Sequence, residues 1–254
     1  MAIEERAQFK YFRWEDKFAA DVKPYFAMMD LPEGFPHTNF EGETGPVEHI
    51  TDIRHDPGAY DLDQNGFVIR EHVLRDQAFD EAGVADVYLP KMEKLIKDEL
   101  GNDWARTDLD DKSIIIEPVV AVHVGSSSTT SFHQTQANTD DQISVWRPIE
   151  NEVDEWPLAM LDGSTIPNCN LINIDHVRRT YVGETQYAVH SPEYRWHYLS
   201  RQKKDEVIIM KMYDSAQDVP AKCCPRAAFQ AARVVENAKP RETIEVRALV
   251  FSDY

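Results

Sequence analysis

With 254 residues the chain is long enough to bury a full hydrophobic core, as one large domain or as two small ones. A hydrophobic fraction of 42% and a charged fraction of 28% are ordinary for a globular protein. The formal net charge of -18 argues against an electrostatic hold on nucleic acid or on an acidic membrane surface.

Met1 to Lys10 is polar and charged, and no apolar stretch of the signal-peptide kind follows it. No run approaches the roughly 18 apolar residues of a membrane span. These features predict a soluble, cytoplasmic protein without membrane association. Tyr25 to Pro57 scatters prolines and glycines among short apolar pieces, which predicts an irregular lead-in arm wrapped on a core. A helix is predicted from Pro90 to a stop at Gly101. Met92, Leu95, Ile96 and Leu100 fall on one face of it, while Lys91, Lys94, Lys97 and Asp98 lie largely off that stripe. Such a helix packs on something larger.

Beyond Lys112 the period changes. Ser113 to Val124 is rich in β-branched residues, and Ile143, Val145, Arg147 and Ile149 recur at the two-residue strand period. Further strands are predicted at Thr185 to His190, Arg195 to Leu199, Glu206 to Tyr213 and Thr243 to Phe251. In the last, Ile244, Val246, Ala248 and Val250 face one way, and Glu245, Arg247 and Leu249 the other. Turn-rich segments separate most of them. The expectation is a mainly β chain with flanking helices, a barrel or jelly roll. One domain spans 1–254: an N-terminal arm and helices over 1–112 pack on a β core over 113–254.

The cysteines are Cys169, Cys223 and Cys224. The adjacent pair is poorly placed to bridge with itself, and Cys-x-x-Cys spacing is absent, so neither a disulfide framework nor a zinc site is predicted. Burial is the default for Cys223 and Cys224. There is no Gly-x-Ser-x-Gly elbow for a hydrolase. The Ser126 to Ser131 run lacks the context of a phosphate loop and reads as a flexible loop.

Several segments together resemble a fungal family of hydroxylase/desaturase-like proteins. They are Val145-Trp146-Arg147-Pro148-Ile149, Trp156-Pro157-Leu158-Ala159, Val182-Gly183-Glu184-Thr185, Tyr194-Arg195-Trp196-His197-Tyr198 and Met212-Tyr213-Asp214-Ser215. The closing stretch, Pro240-Arg241-Glu242-Thr243-Ile244-Glu245-Val246-Arg247-Ala248-Leu249-Val250-Phe251, is the most specific. Looser matches are Asn39-Phe40, Leu62 to Phe67 and Val87 to Pro90. This family, with its gibberellin desaturase-like and aspergillic-acid-cluster members, is a branch of the non-haem iron(II)/2-oxoglutarate oxygenases. The resemblance implies a double-stranded β-helix, the cupin-like jelly roll.

Members that bind iron are expected to use His-x-Asp on one strand and a distant His, because iron(II) takes three facial ligands and leaves room for 2-oxoglutarate and dioxygen. The matching segment here is Ala121-Val122-His123-Val124-Gly125, so His123 is retained and Gly125 stands at the carboxylate position. Halogenases of the larger class also replace the carboxylate, but they keep the second His. That His is expected in Cys223-Cys224-Pro225-Arg226-Ala227-Ala228-Phe229, where Arg226 stands instead. A guanidinium has no lone pair for a metal. The resemblance therefore implies a degenerate metal site at His123, Gly125 and Arg226. Arg241 and Arg247 are remnants of a cosubstrate anchor, or structural partners of a carboxylate such as Glu245.

His133, ten positions after His123, is a possible rescue ligand, but a loop His needs no special reason. His190 and His197 sit among Tyr187, Tyr194, Trp196 and Tyr198, which reads as core and sheet surface. The expected role is a non-catalytic subunit in a heterodimer with a homologous non-haem iron oxygenase of fungal terpenoid or meroterpenoid biosynthesis. Iron(II) and 2-oxoglutarate would be bound by that partner and none by this chain, with a small-molecule substrate shared near the interface. Two alternatives stay open: a metal-independent cyclase, isomerase or dehydratase using the same cavity, and an active oxygenase with an unusual ligand set such as His123 with His133.

Overall fold

The computed structural model describes residues 4–19, 22–75, 77–101, 104–107, 118–125, 141–179, 181–232 and 236–251. Fourteen strands lie within them. They are β1 (Glu4–Phe12), β2 (Tyr25–Ala27), β3 (Gly42–Asp52), β4 (Phe67–Glu71), β5 (Trp104–Thr107), β6 (His123–Val124) and β7 (Asp141–Pro148). The others are β8 (Leu158–Leu161), β9 (Leu171–Val177), β10 (Val182–Ala188), β11 (Trp196–Tyr198), β12 (Glu206–Asp214), β13 (Arg226–Ala228) and β14 (Thr243–Phe251).

The strands form a five-stranded sheet of order β4-β12-β7-β14-β5 and a nine-stranded sheet of order β1-β3-β11-β8-β13-β6-β10-β9-β2. Eight strands carry the topology. In chain order β5, β6, β7 and β8 alternate between the sheets, β11 stays beside β8, and β12, β13 and β14 alternate again. Neighbours in the resulting β12-β7-β14-β5 and β11-β8-β13-β6 sets are all antiparallel. This interleaving is a double-stranded β-helix, or jelly roll.

Alternation along the strands builds the layers. Ile143 and Val145 of β7, Val207 and Ile209 of β12, and Val246, Ala248 and Val250 of β14 share one core with the Leu89–Leu100 helix. That helix inserts Leu89, Met92 and Ile96, and it stops at Gly101 with φ 64, whose N–H donates to the Lys97 carbonyl. The left-handed φ suits glycine at this position. The opposite faces of β7 and β12 send Trp146, Ile208 and Met210 between the two sheets, against Phe67, Met160 and Leu199.

The first 112 residues contribute β1 to β5, so they are woven into both sheets. Tyr25 to Pro57 is not irregular throughout, because it holds β2 and the eleven-residue β3. Its breaker residues mark a bulge inside β3. Gln8 pairs with Val47 and Lys10 with Thr44, so Phe9 opposes both Gly45 and Pro46. A Cβ on Gly45 would lie 2.6 Å from the Tyr11 ring. Beyond the bulge, β1 returns to the segment entering β6. The Lys10 N–H donates to the Val120 carbonyl at 3.2 Å, and the Val122 N–H donates to the Lys10 carbonyl at 2.9 Å. Phe9, Tyr11, Ile50, Val122, Trp196 and Tyr198 fill the core enclosed by this return.

Candidate functional site

The register of the nine-stranded sheet places several polar residues in one transverse row. His197 faces Met160, Met160 faces Arg226, Arg226 faces His123, and His123 faces Tyr187. Met160 belongs to the core between the sheets, so the row lines the barrel interior. Opposite it, β7 and β14 present Ser144 and Glu245, residues alternating with the outer core set.

Arg226 Nη2 donates to Glu245 Oε1, and Ser144 Oγ donates to the same oxygen at 2.6 Å. Arg226 is buried, whereas the Glu245 side chain is 27% exposed, so the pair is open to solvent on the carboxylate side. Burial works against ionising Glu245, but Arg226 and then Arg247 outweigh it and hold the carboxyl well below its ordinary range. Arg226 Nη1 is buried with no hydrogen-bond partner.

His123 Nδ1 lies 2.8 Å from the Ala121 carbonyl. A carbonyl can only accept, so the proton is on Nδ1 and Nε2 carries the lone pair of the neutral ring. Burial, followed by the nearby Arg226 cation, lowers the imidazole to about 4. It is neutral at physiological pH.

Gly125 lies under Arg247. A Cβ there would be 2.7 Å from Arg247 Nη2 and 2.6 Å from Met212 Cε. Arg247 Nη1 donates weakly to the Gly125 carbonyl at 3.4 Å, and its Nε lies 3.8 Å from Glu245 Oε1. His123, Gly125, Arg226, Glu245 and Arg247 are therefore together. Arg241 is not with them, since its Nη1 donates to the Trp156 carbonyl and its guanidinium lies 5.5 Å from the Trp146 ring. Among the described residues, no three His, Cys, Asp or Glu side chains gather as a metal cluster.

Sequence reasoning missed Ser144 and His176. Ser144 shares its strand face with Gln142 and Trp146, opposite Ile143, Val145 and Arg147, so the alternation gave little signal for it. His176 faces Gly183 across β9 and β10, with its ring 6.3 Å from Tyr187 and its Nε2 buried without a partner. His133 and the Ser126 to Ser131 run lie outside the described residues. His197 is an aromatic-core residue, 4.9 Å from the Tyr60 ring and 5.7 Å from the Phe67 ring, and burial lowers it to about 4. Cys223 and Cys224 are buried free thiols, and burial pushes Cys223 up to about 12. No helix among the described residues is long and apolar enough to cross a membrane.

A family model described as "Oxidoreductase/YMDC permease-like domain" matches residues 9–251. The chain is 32% identical over 254 residues to the Fe(II)/2-oxoglutarate-dependent dioxygenase nvfI of Aspergillus novofumigatus, covering 89% of this chain and 90% of that protein. It is 28% identical over 257 residues to the hydroxylase/desaturase efuI of Hormonema carpetanum, covering 84% and 86%. Among solved structures, one of the iron and alpha-ketoglutarate-dependent endoperoxidase NvfI superposes with a TM-score of 0.85 at 27% identity. That match covers 99% of this chain and 99% of the other. With a jelly roll matched along its length and a relative above 30% identity, the chain belongs to the family of fungal Fe(II)/2-oxoglutarate-dependent dioxygenases and hydroxylase/desaturases.

Proposed function

We propose that this chain is a non-catalytic member of its family, and that it works as the partner subunit of a related, active non-haem iron oxygenase in fungal secondary metabolism. The observation that carries this reading is the Arg226–Glu245 ion pair beside His123. The residues at the triad positions do not fit iron(II). His123 offers one nitrogen, Gly125 offers no side chain, and Arg226 brings a fixed positive charge that is already bound to a carboxylate. In this reading iron(II) and 2-oxoglutarate are held by the partner, which carries out the oxidation of a terpenoid or meroterpenoid intermediate. This chain supplies a folded surface beside the partner's substrate.

One end of the nine-stranded sheet supports such a contact. Met28 N–H donates to the Val177 carbonyl at 2.8 Å and Val182 pairs with Val177, so both sit at this end. Met28 and Val182 are exposed, and Phe35, in the same arm, is 65% exposed. An obligate interface would bury about 2,000 Å² or more in total.

Anaerobic iron(II) titration of the purified chain, alone and with its partner oxygenase, tests the reading together with native mass measurement. The expected result is no stoichiometric iron in the chain alone and one iron per heterodimer. Tight stoichiometric iron, or iron-dependent turnover by the chain alone, overturns it.

A further inference from the structure

The polar cluster at the barrel mouth contains a cation and a carboxylate, and the cation, Arg226, stands where the resemblance places the second histidine of iron-binding members. Arg226 extends from β13 directly opposite His123, and its guanidinium meets Glu245, which arrives from β14 in the other sheet. Ser144 adds a hydrogen bond to the same Glu245 oxygen from β7. One positive centre is thus paired with a carboxylate from β14 that a β7 hydroxyl also binds, beside a neutral imidazole from β6.

We infer that the Arg226 guanidinium is a tethered cation seated where a metal ion would lie, and that Glu245 is the carboxylate that balances it. This inference rests on the placement of the degenerate triad at His123, Gly125 and Arg226. Two features support it beyond the ion pair. First, the guanidinium fits its seat incompletely. Nη2 has Glu245, whereas Nη1 is buried with no acceptor. A seat shaped for a planar fork would supply acceptors along both edges, as bidentate carboxylate pairs do. A seat that accommodates a compact ion need supply acceptors on only a few sides. Second, the lost carboxylate position cannot act in this structure. Arg247 fills the space beside Gly125, with Nη2 2.7 Å from where a Cβ would be. A side chain there would displace Arg247 or pair with it. Among the described residues, the carboxylate paired with the seat's cation is Glu245 of β14.

The consequence is specific. Replacing the tethered cation by an imidazole leaves His123, the new histidine and Glu245 around an unfilled seat, a two-nitrogen, one-carboxylate set suited to a divalent first-row metal. The experiment is Mn(II) and iron(II) titration of the full-length chain, performed anaerobically, in wild type, Arg226→His and the Arg226→His/Glu245→Gln double variant. Thermal melting is followed alongside binding. The expected result is no stoichiometric binding in wild type and one metal per chain in Arg226→His, with a metal-dependent rise in melting temperature. Affinity should fall by at least about tenfold when Glu245→Gln is added, because the only carboxylate is lost.

Absence of binding in Arg226→His, or binding indifferent to Glu245→Gln, overturns the inference and leaves the subunit reading standing. Stoichiometric iron in wild type overturns both the inference and that reading. If Arg226→His does not fold, charge balance is read from Arg226→Met and the Arg226→Met/Glu245→Met double variant. The double variant should melt above the single one. Equal or lower melting of the double variant overturns the inference.

Discussion

Lys211 and Arg226 are both held at 2% side-chain exposure inside the jelly roll, but they are satisfied to different degrees. Lys211 Nζ donates to Asp63 Oδ1 at 2.6 Å and to Asp214, which is itself nearly inaccessible. Its backbone is tied as well, since its N–H donates to the Gly66 carbonyl and its carbonyl accepts from the Cys224 N–H, both at 2.8 Å. Arg226 has Glu245 on one nitrogen and nothing on the other. A buried ionic network in which each charge has its partner fixes strands in place. A network with an unused donor and a solvent-facing carboxylate is held less completely.

That contrast can be broken most directly at Lys211. Lys211→Met leaves the Asp214 carboxylate buried at 4% exposure without its cation, and should cost about 3–5 kcal/mol of unfolding free energy. Urea denaturation measures it, and a loss below about 1 kcal/mol would mean that the network is not structural. Arg226→Met should cost less, about 1–3 kcal/mol, because Glu245 is 27% exposed and keeps its bond from Ser144. Equal losses for the two variants would erase the distinction.

The smallest effect is expected at His197. Its imidazole is lowered to about 4 by burial, so between pH about 6.5 and 4 the unfolded chain binds a proton that the folded chain resists. Its neutral ring therefore stabilises the fold fully above pH 6.5, and that contribution is lost as pH falls toward 4. His197→Phe keeps a ring between Tyr60 and Phe67 and removes the unpartnered Nε2. Its stability at pH 7 should lie within about 1 kcal/mol of wild type. Its loss of stability on acidification should be shallower. An unchanged acid slope would show that His197 does not titrate with folding.

Strands β7, β10, β11, β12 and β14 were legible because alternation and turns agree there, whereas β8, β9 and β13 were not predicted, and part of the Ser113 to Val124 stretch lies outside the described residues. Thr243 to Phe251 reads with its observed bounds, and its faces divide as predicted, with Val246, Ala248 and Val250 in the helix-side core and Glu245 on the other face. The Pro90 to Gly101 helix was equally plain, since its stripe and its glycine stop coincide. β3 was hidden because Gly45 and Pro46, breakers in any local reading, sit in a bulge that only pairing with β1 creates. At the site, the two-residue spacing of Glu245 and Arg247 announced a shared face. It could not announce that Glu245 would reach across the barrel to Arg226, because that contact depends on two strands in different sheets. Gly125 stood out where the resemblance calls for a carboxylate, but the Arg247 guanidinium packed beside it was not legible.

The hydrogen bonds from Lys10 to Val120 and Val122 also bear on how the molecule assembles. They join residues about 110 positions apart, and they fix the backbone leading into His123. Closure over such a span carries an entropic cost before its contacts form, so it belongs to the slow part of folding. Arg226 and Glu245 emerge from the ribosome later still. The mouth of the barrel thus waits for the last strands of the chain, and so does the helix-covered face, whose core takes Val246, Ala248 and Val250 from the same β14 that carries Glu245.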